Sequence, residues 1–324
     1  MVAKIFIDGE AGTTGLEIRG RLEKRQDVEL IRLADDARKD ASARAGALAA
    51  ADVAILCLPD AAARQAADMA AASGTRLIDA STAHRTDPGW VYGFAEMTAG
   101  QREKIAGAAR VSNPGCYACS AVALIRPLVE AGILPAGCRL TINAVSGYSG
   151  GGRKMVEEYE KSGSPGHDAF MVYGLTLDHK HVPEIKVHGL LENRPLLVPS
   201  VGNFRQGMIV QVPLQLSTLP GAPTAADIHA ALAGHYAGQK FVTVADIADI
   251  TGISAESLNG TNEIHIRVMA NEAAGHAVLA ALSDNLGKGA AGQAVQNLNL
   301  MLGVEESTGL HIIIDRVGRI PISG

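Results

Sequence analysis

A cysteine at the start of a predicted helix is the residue of this chain best suited to covalent chemistry. Cys116 follows the turn-forming run Asn-Pro-Gly, and residues 117–128 have the composition of a helix. The dipole and the N–H groups at a helix N-terminus stabilise a thiolate. Cys116 is therefore a candidate nucleophile for a carbonyl carbon, with Asn113 as a candidate substrate contact in the same turn. The alternative is a buried structural cysteine.

The other three cysteines favour structural interpretations. Cys57 lies inside an apolar run and Cys138 directly precedes one. Cys119 forms a Cys-x-x-Cys pair with Cys116, which leaves three interpretations open: a packing residue one helical turn on, a redox partner, or half of a zinc site. A zinc site would need a second ligand pair, so no metal is expected.

An acid/base partner for the thiolate is offered by the segment DHKHVPEI, residues 178–185. His179 and His181 share one face if this segment is extended, and Glu184 lies close enough in sequence to orient one of them. His181 is the first choice for the catalytic base and His179 the second. Two histidines alone are also compatible with a metal site, although the pattern is not specific.

A glycine-rich loop follows the first predicted strand. The sequence GEAGTTG, residues 9–15, has the spacing Gly-x-x-Gly-x-x-Gly at a strand-to-helix junction. Glycines there allow backbone to approach a ligand, and the N–H groups of the following helix can bind a pyrophosphate. The alternative is an ordinary strand-to-helix turn. The candidate cofactor contacts in this loop are Gly9, Gly12, Thr13, Thr14 and Gly15.

The end of the second strand indicates which nicotinamide cofactor binds. A carboxylate there holds a free ribose hydroxyl, whereas basic residues accept a 2′-phosphate. The sequence offers both, with Asp35 and Asp36 followed by Arg38 and Lys39. The two basic residues favour NADPH as the cofactor.

Two further segments could bind an anionic substrate group. Arg85 follows the fourth predicted strand, at the edge of the sheet where ligands bind in open α/β folds. The loop SGYSGGGR, residues 146–153, is rich in hydroxyl and N–H donors, although a flexible linker has the same composition. Its candidate substrate contacts are Ser146, Ser149, Gly150 and Arg153.

Short strands alternate with helices up to about residue 115, which predicts an α/β domain with a parallel sheet. From about residue 140 longer strands with period-two alternation predict an α+β domain with a mixed sheet. A final helix is expected over residues 287–302. The strands predicted for the second domain are Leu140–Val145, Lys186–Leu191, Met208–Leu216 and Glu263–Met269.

Composition narrows the class of protein. A chain of 324 residues is long enough for two domains, and a formal net charge of −5 makes nucleic acid an unexpected partner. Every apolar stretch is interrupted too early for a membrane span, and the N-terminus lacks the pattern of a signal peptide. Four cysteines in such a chain fit reduced thiols in the cytoplasm.

Several motifs together resemble the N-acetyl-gamma-glutamyl-phosphate reductases of the shorter type. They are GEAGTTG, NPGCY around Cys116, SGYSGGGR, HKHVPEI and the terminal GQAVQNLNLMLG. The resemblance covers about residues 2–303. The tail from about His311 has no counterpart in that family.

The resemblance implies a Rossmann-like dinucleotide-binding domain joined to an α+β catalytic domain of the glyceraldehyde-3-phosphate dehydrogenase type. The expected boundaries are residues 1–115, completed by a helix over 287–303, for the NADP-binding domain, residues 116–286 for the catalytic and oligomerisation domain, and residues 304–324 for a tail. It also implies that Asn297 lies near the nicotinamide and that the protein is a homodimer or homotetramer.

The activity implied is NADPH-dependent reduction of N-acetyl-glutamyl phosphate through a Cys116 thioester, in arginine biosynthesis. One of His179 and His181 would act as the acid/base group. An enzyme acting on aspartyl phosphate would share every feature except the substrate pocket. A cysteine hydrolase or a nucleotide-sensing binding protein is the alternative from another class. A hydrolase would need no glycine loop and a sensor would need no nucleophile.

Overall fold

The structure is a computed structural model that describes residues 2–161, 168–247 and 251–313. The last part of the expected tail, residues 314–324, lies outside the described residues. The helices are α1 Thr13–Leu22, α2 Ala41–Ala50, α3 Asp60–Ala71, α4 Gln101–Gly107, α5 Cys116–Glu130, α6 Arg153–Glu160, α7 Val182–His188, α8 Ala225–His235 and α9 Gly292–Leu302. The strands are β1 Ala3–Asp8, β2 Val28–Ile31, β3 Val53–Leu56, β4 Arg76–Asp79, β5 Val91–Tyr92, β6 Arg110–Ser112, β7 Thr141–Gly147, β8 Phe170–Val172, β9 Leu196–Gly202, β10 Met208–Gln215, β11 Val242–Val244, β12 Ile264–Asn271 and β13 His276–Ser283.

The described residues divide into two compact units. The first unit comprises residues 2–95, 99–115 and 290–310, and the second comprises residues 96–98, the described part of 116–289, and 311–313. The last helix, α9, therefore belongs to the same unit as the N-terminal strands.

The first unit is built on a parallel six-stranded sheet in the order β2-β1-β3-β4-β6-β5. Its strands are short and apolar because helices cover both faces. On one face Ile5 and Ile55 pack with Leu298 of α9 and with residues of α1 and α4. On the other face Phe6 packs with Leu48 of α2 and with alanines of α3. Ligands of such sheets bind at the carboxyl edge, where the loop after β1 lies.

The second unit contains a mixed seven-stranded sheet in the order β11-β12-β13-β10-β7-β9-β8. Alternate residues of β10 and β12 are buried, as the period-two patterns predict. Helices α5 and α8 pack against the central strands, and α7 packs against α5. This arrangement confirms the expected α/β fold with a mixed sheet in the second part of the chain.

The strand predicted over Lys186–Leu191 is wrong. Residues 182–188 form α7, with Pro183 in its first turn, and the chain then turns through Leu190 at a φ of +58°. Proline is favoured in the first helical turn because its missing N–H needs no partner there. Strands β9 and β13 were not predicted from the sequence.

The residues after α9 are divided between the two units, with residues 303–310 in the first and 311–313 in the second. Asn299 of α9 donates from Nδ2 to the carbonyl oxygens of Glu306 and Thr308, each at 2.9 Å. Within the second unit, the N–H of Asn262 donates to the carbonyl of His311 at 2.9 Å, and the N–H of Ile313 donates to the carboxylate of Glu263. In the described part of the chain, no helix combines the length and apolar character needed to cross a membrane.

Candidate active site

Cys116 is the first residue of α5 and is half-buried. The three residues before it, Asn113 to Gly115, are buried and follow β6 directly. The first N–H groups of a helix have no intrahelical acceptor, so they can stabilise a thiolate or an oxyanion beside Cys116. The expected position of Cys116 at a helix N-terminus is confirmed.

The backbone of Gly289 packs against the side chain of this cysteine. A Cβ atom built on Gly289 would lie 2.9 Å from the Cβ of Cys116, which is closer than two such atoms approach. Gly289 follows Lys288 in a single turn of π-helix, Gly287–Ala291. Its N–H donates to the carbonyl of Asp284 at 2.9 Å.

Two histidines lie beside the residue that follows the cysteine. The centre of the Tyr117 ring lies 6.0 Å from the ring centre of His179 and 5.8 Å from that of His181. The centres of the two imidazole rings are 4.7 Å apart. Tyr117 is held in place because its hydroxyl donates to the carbonyl of Ser200 at 2.9 Å. The expected pair of histidines therefore lies against the start of α5.

The two imidazoles differ in accessibility and in hydrogen bonding. His181 is 5% exposed, whereas His179 is only half-buried. The Nδ1 atom of His179 accepts the backbone N–H of His181 at 3.2 Å, so the neutral His179 ring carries its proton on Nε2. Burial, followed by the charge of Lys180, lowers the pKa of His179, and the charge of Glu184 opposes this.

Glu184 is buried in the first turn of α7. Its carboxylate is close enough to raise the pKa of His179. The sequence predicts that Glu184 acts on one of the two histidines, and in the structure its charge acts on the pKa of His179.

Tyr173 is a member of this cluster that sequence reasoning missed. The centre of its ring lies 5.8 Å from the centre of the His179 imidazole. Burial raises the pKa of Tyr173 to about 12, a hydrogen bond with Tyr117 lowers it, and the nearby charge of Cys116 raises it. The only sequence signal was a tyrosine ending the apolar run Phe-Met-Val-Tyr, which is also the composition of any buried strand.

The remaining cysteines are in environments that favour the protonated thiol. Cys119 is 1% exposed, and burial raises its pKa. Burial, with a smaller effect of Asp79 and Asp8, raises the pKa of Cys57 to about 12, and burial also raises that of Cys138. All four cysteines are free thiols. Cys119 thus packs as a small apolar residue of α5.

The candidate substrate loop is more ordered than its composition indicated. Ser146 and Gly147 end β7, residues 148–151 form a 3₁₀ turn, and Arg153 begins α6. Ser146 and Ser149 are buried, and Oγ of Ser149 accepts a hydrogen bond from Asn285 at 2.9 Å. Gly150 is exposed beside them.

The side chain of Arg153 is exposed, whereas Ser146 and Ser149 are buried. Its guanidinium forms an exposed ion pair with Glu157 one turn further along α6, at 2.6 Å. In the described residues, no group of three or more His, Cys, Asp or Glu side chains could hold a metal ion.

The glycine loop of the first unit packs closely against neighbouring backbone. Gly9 has a φ of +87°, and a Cβ there would lie 2.3 Å from the carbonyl oxygen of Cys57. A Cβ on Gly15 would lie 2.7 Å from the Cα of Glu10. Both positions therefore require glycine. Gly12 caps α1 without a side-chain hydrogen bond, and Thr13 and Thr14 follow in its first turn, whose N–H groups suit an anionic ligand.

Arg38 lies beside this loop. Its Nη2 atom is 2.8 Å from Oε1 of Glu10 and 2.9 Å from Oδ1 of Asp35. Lys39 and Asp36 are exposed. Carboxylates therefore surround the arginine proposed for a 2′-phosphate.

Three other predicted residues form a buried network in the first unit. Asn297 is fully buried and donates from Nδ2 to Oδ1 of Asn113 and to the carbonyl of Gly93, each at 3.0 Å. Nε of Arg85 donates to the carbonyl of Asn113 at 3.0 Å, and its Nη2 donates to the carbonyl of Ala80 at 3.1 Å. The segment that leads into α5 is thus held by Asn297 and Arg85.

Comparison with known proteins identifies both units. Family models for the semialdehyde dehydrogenase NAD binding domain and dimerisation domain match residues 4–108 and 116–285. Solved structures with this fold include aspartate semialdehyde dehydrogenase II of Vibrio cholerae, with a TM-score of 0.70 at 14% identity, covering 94% of this chain and 99% of that one. A probable aspartate-semialdehyde dehydrogenase of Pseudomonas aeruginosa gives a TM-score of 0.69 at 17% identity, covering 93% and 99%. At these identities the likeness shows the fold alone.

Curated relatives are much more similar in sequence. N-acetyl-gamma-glutamyl-phosphate reductase of Trichormus variabilis is 52% identical over 95% of this chain and 99% of that protein. The enzymes of that name from Burkholderia ambifaria and a Chelativorans species are 52% and 54% identical, each over 93% of this chain and over 96% and 99% of their own lengths. The chain therefore belongs to the semialdehyde dehydrogenase family and, within it, to the N-acetyl-gamma-glutamyl-phosphate reductases.

Proposed function

We propose that the protein reduces N-acetyl-L-glutamyl 5-phosphate with NADPH to N-acetyl-L-glutamate 5-semialdehyde and phosphate, a step of arginine biosynthesis. The observation that carries this proposal is Cys116 at the first position of α5 with His179 and His181 beside the next residue. The names of relatives that align over nearly the whole chain support the substrate.

Cys116 is the nucleophile of the first step. Its thiolate attacks the acyl carbon, a C–S bond forms, the bond from that carbon to the phosphate oxygen breaks, and phosphate leaves. The N–H groups at the start of α5 stabilise the oxyanion that develops on the carbonyl oxygen. The backbone of Gly289 lies close to the Cβ of Cys116.

The second step reduces the thioester. The glycine loop with Gly9, Gly12 and Gly15 would hold the dinucleotide, which supplies a hydride to the thioester carbon when it is bound. The N–H of a histidine ring donates a hydrogen bond to the oxyanion that results. The C–S bond then breaks as the carbonyl re-forms, which releases the aldehyde and regenerates the thiolate.

We assign this hydrogen bond to His179 rather than to His181. His179 is half-buried, so a substrate can reach it, and its neutral tautomer presents Nε2–H. His181 is nearly inaccessible, and its backbone N–H fixes the tautomer of His179. This reverses the order of preference given by the sequence.

The reverse reaction tests the proposal. The wild-type protein, with NADP and phosphate, is given N-acetylglutamate semialdehyde or aspartate semialdehyde, and NADPH formation is followed by absorbance. We expect turnover with the acetylated aldehyde and at least a 10²-fold lower kcat/KM with the other, the discrimination typical of a site that hydrogen-bonds a polar substrate group. Preference for aspartate semialdehyde would replace the proposed substrate, and no turnover with either would favour a binding protein.

We propose a homodimer assembled through the second unit. The family model that matches residues 116–285 is described as a dimerisation domain. Several large apolar side chains of this unit are exposed: Phe170, Val172, Leu175, Leu177, Val187, Leu190 and Leu196. Exposed apolar groups of this size favour a protein interface. Light scattering during size-exclusion chromatography gives the mass, and a tetramer or a monomer would correct the proposed state.

We also propose a cytoplasmic location. A thiolate mechanism needs reduced cysteine, and all four cysteines are free thiols. Fractionation of the source cells, followed by assay of the activity in each fraction, tests this location.

A further inference from the structure

A buried ion pair in the second unit takes no part in the mechanism derived above. Nζ of Lys288 lies 2.8 Å from Oε2 of Glu96, and both side chains are completely inaccessible to solvent. The ammonium also lies 5.1 Å from the centre of the Phe241 ring. Burying two charges carries a large desolvation cost, and such pairs often stabilise no more than apolar residues of the same size would. A role in positioning would account for this pair.

Lys288 is bonded to the residue that touches the nucleophile. Gly289 follows it in the chain and packs its backbone against the Cβ of Cys116. The hydrogen bond from the Gly289 N–H to Asp284 holds one side of this turn, and the ammonium of Lys288 holds the other. A shift of Lys288 would therefore move the Gly289 backbone that packs against Cys116.

Glu96 is itself fixed to the helices of the second unit. Its carbonyl oxygen lies 3.3 Å from Nε2 of His235, at the end of α8. Two residues further along, Oγ1 of Thr98 donates to Oε1 of Glu130, the last residue of α5, at 3.1 Å. The backbone on either side of Glu96 is thus held to the last residues of α8 and α5.

We propose that Lys288 and Glu96 are positioning residues for Cys116. Their ion pair fixes the turn at residues 287–291 so that the Gly289 backbone packs against Cys116 and sets the direction of its sulfur. The inference rests on the proposed function only in taking Cys116 as the nucleophile. Neither residue needs to touch the substrate.

Alkylation of Cys116 in the absence of substrate measures this positioning directly. The full-length protein is treated with iodoacetamide, and tandem mass spectrometry of its peptides gives separate rates for Cys116 and Cys138. Cys138 serves as the internal reference, since it is half-buried and precedes β7. The variants are Lys288→Met, Glu96→Gln and the double variant, which removes both charges.

We expect each single variant to change the Cys116 rate about 10²-fold relative to Cys138, as a displacement of about 1 Å can do. For the reaction with N-acetylglutamate semialdehyde, kcat should fall while KM stays within about twofold, because no substrate contact is lost. The double variant should regain thermal stability, since no unpaired charge remains, but its Cys116 rate should stay altered.

A matched control separates positioning from loss of stability. Leu214→Ala removes a buried side chain near the end of β10. This position is six residues along the strand from Met208, the residue that pairs with Ser146 of β7. It should lower the melting temperature and leave the alkylation ratio unchanged. A wild-type alkylation ratio in the double variant, or a ratio altered equally by Leu214→Ala, would overturn the proposal. Both results are independent of which aldehyde the enzyme accepts.

Discussion

The backbone N–H of His181 donates a hydrogen bond to Nδ1 of His179 across 3.2 Å. This contact assigns different tasks to two histidines that the sequence could not distinguish. One ring stays accessible with a defined tautomer, and the other is packed at the edge of Tyr117.

Replacing His179 by Asn, whose shorter side chain cannot reach the position of Nε2, should lower kcat by about 10²–10³, the usual contribution of one hydrogen-bond donor to an oxyanion. His181→Asn keeps the backbone N–H that orients His179, so its kcat should fall by less than about tenfold. Steady-state assays of both variants with N-acetylglutamate semialdehyde and NADP check this order. A larger loss in His181→Asn would assign this role to His181 instead.

The pH dependence of aldehyde oxidation should report the environment of His179. Burial lowers its pKa from 6.5, so the neutral ring, whose Nδ1 accepts the His181 N–H, persists in the folded protein to a lower pH than in a free peptide. The acid limb of kcat/KM should therefore lie below pH 6.5. It should move up in Lys180→Met, which removes a nearby positive charge, and down in Glu184→Gln, which removes a negative one.

These two variants serve as controls for each other, because they change the local charge in opposite directions. An acid limb above pH 6.5, or shifts of the same sign in both variants, would show that another group controls the rate.

NADPH should be preferred over NADH because Arg38 and Lys39 can contact a 2′-phosphate. Charge-assisted hydrogen bonds of this kind contribute roughly 1.5–3 kcal/mol each. Arg38→Met and Lys39→Met should each lower kcat/KM for NADPH about tenfold and leave that for NADH nearly unchanged. Arg32→Met is the matched control, since Arg32 follows the same strand but pairs with Glu23.

Equal efficiency of the wild type with the two cofactors would contradict this preference. It would mean that Glu10 and Asp35, which lie within 2.9 Å of Arg38, keep that residue from the phosphate.

A methyl group on Gly289 should disturb the nucleophile directly. Gly289→Ala places a Cβ 2.9 Å from that of Cys116, so either the turn or the helix start must shift. We expect kcat to fall roughly 10²-fold, with thermal stability lowered. Gly234→Ala is the matched control, because a Cβ there meets nothing within 4 Å and alanine favours the interior of α8. Unchanged kcat in Gly289→Ala would show that the packing of residue 289 against Cys116 has no effect on the thiolate.

Local chemistry explains which parts of the site could be predicted. The Asn-Pro-Gly turn placed Cys116 at a helix start because proline and glycine interrupt a strand and precede a helix. The same rules applied to His181-Val182-Pro183-Glu184 would have identified α7, since proline in the first turn followed by an acidic residue is a helix-start signal. The alternation of Lys186–Leu191 is misleading because Val187 and Leu190 are exposed.

Contacts between distant segments could not be predicted. Glu96 and Lys288 are separated by 192 residues, and nothing in either local sequence indicates burial. Asn297 was assigned to the nicotinamide by resemblance, whereas the structure shows its amide donating to Asn113 and Gly93. Whether it also approaches the cofactor stays a prediction. Such pairings depend on tertiary packing, which propensities and periodicity do not encode.

Rapid mixing of the enzyme with N-acetylglutamate semialdehyde and NADP in the absence of phosphate tests whether a thioester forms on Cys116. Without phosphate the acyl group cannot be transferred onward, so NADPH should appear in one burst equal to the concentration of active sites and then nearly stop. Cys116→Ser should give no burst, whereas Cys57→Ser and Cys138→Ser should give a full one. Steady NADPH formation without phosphate, or a burst that survives in Cys116→Ser, would contradict a covalent intermediate on this cysteine.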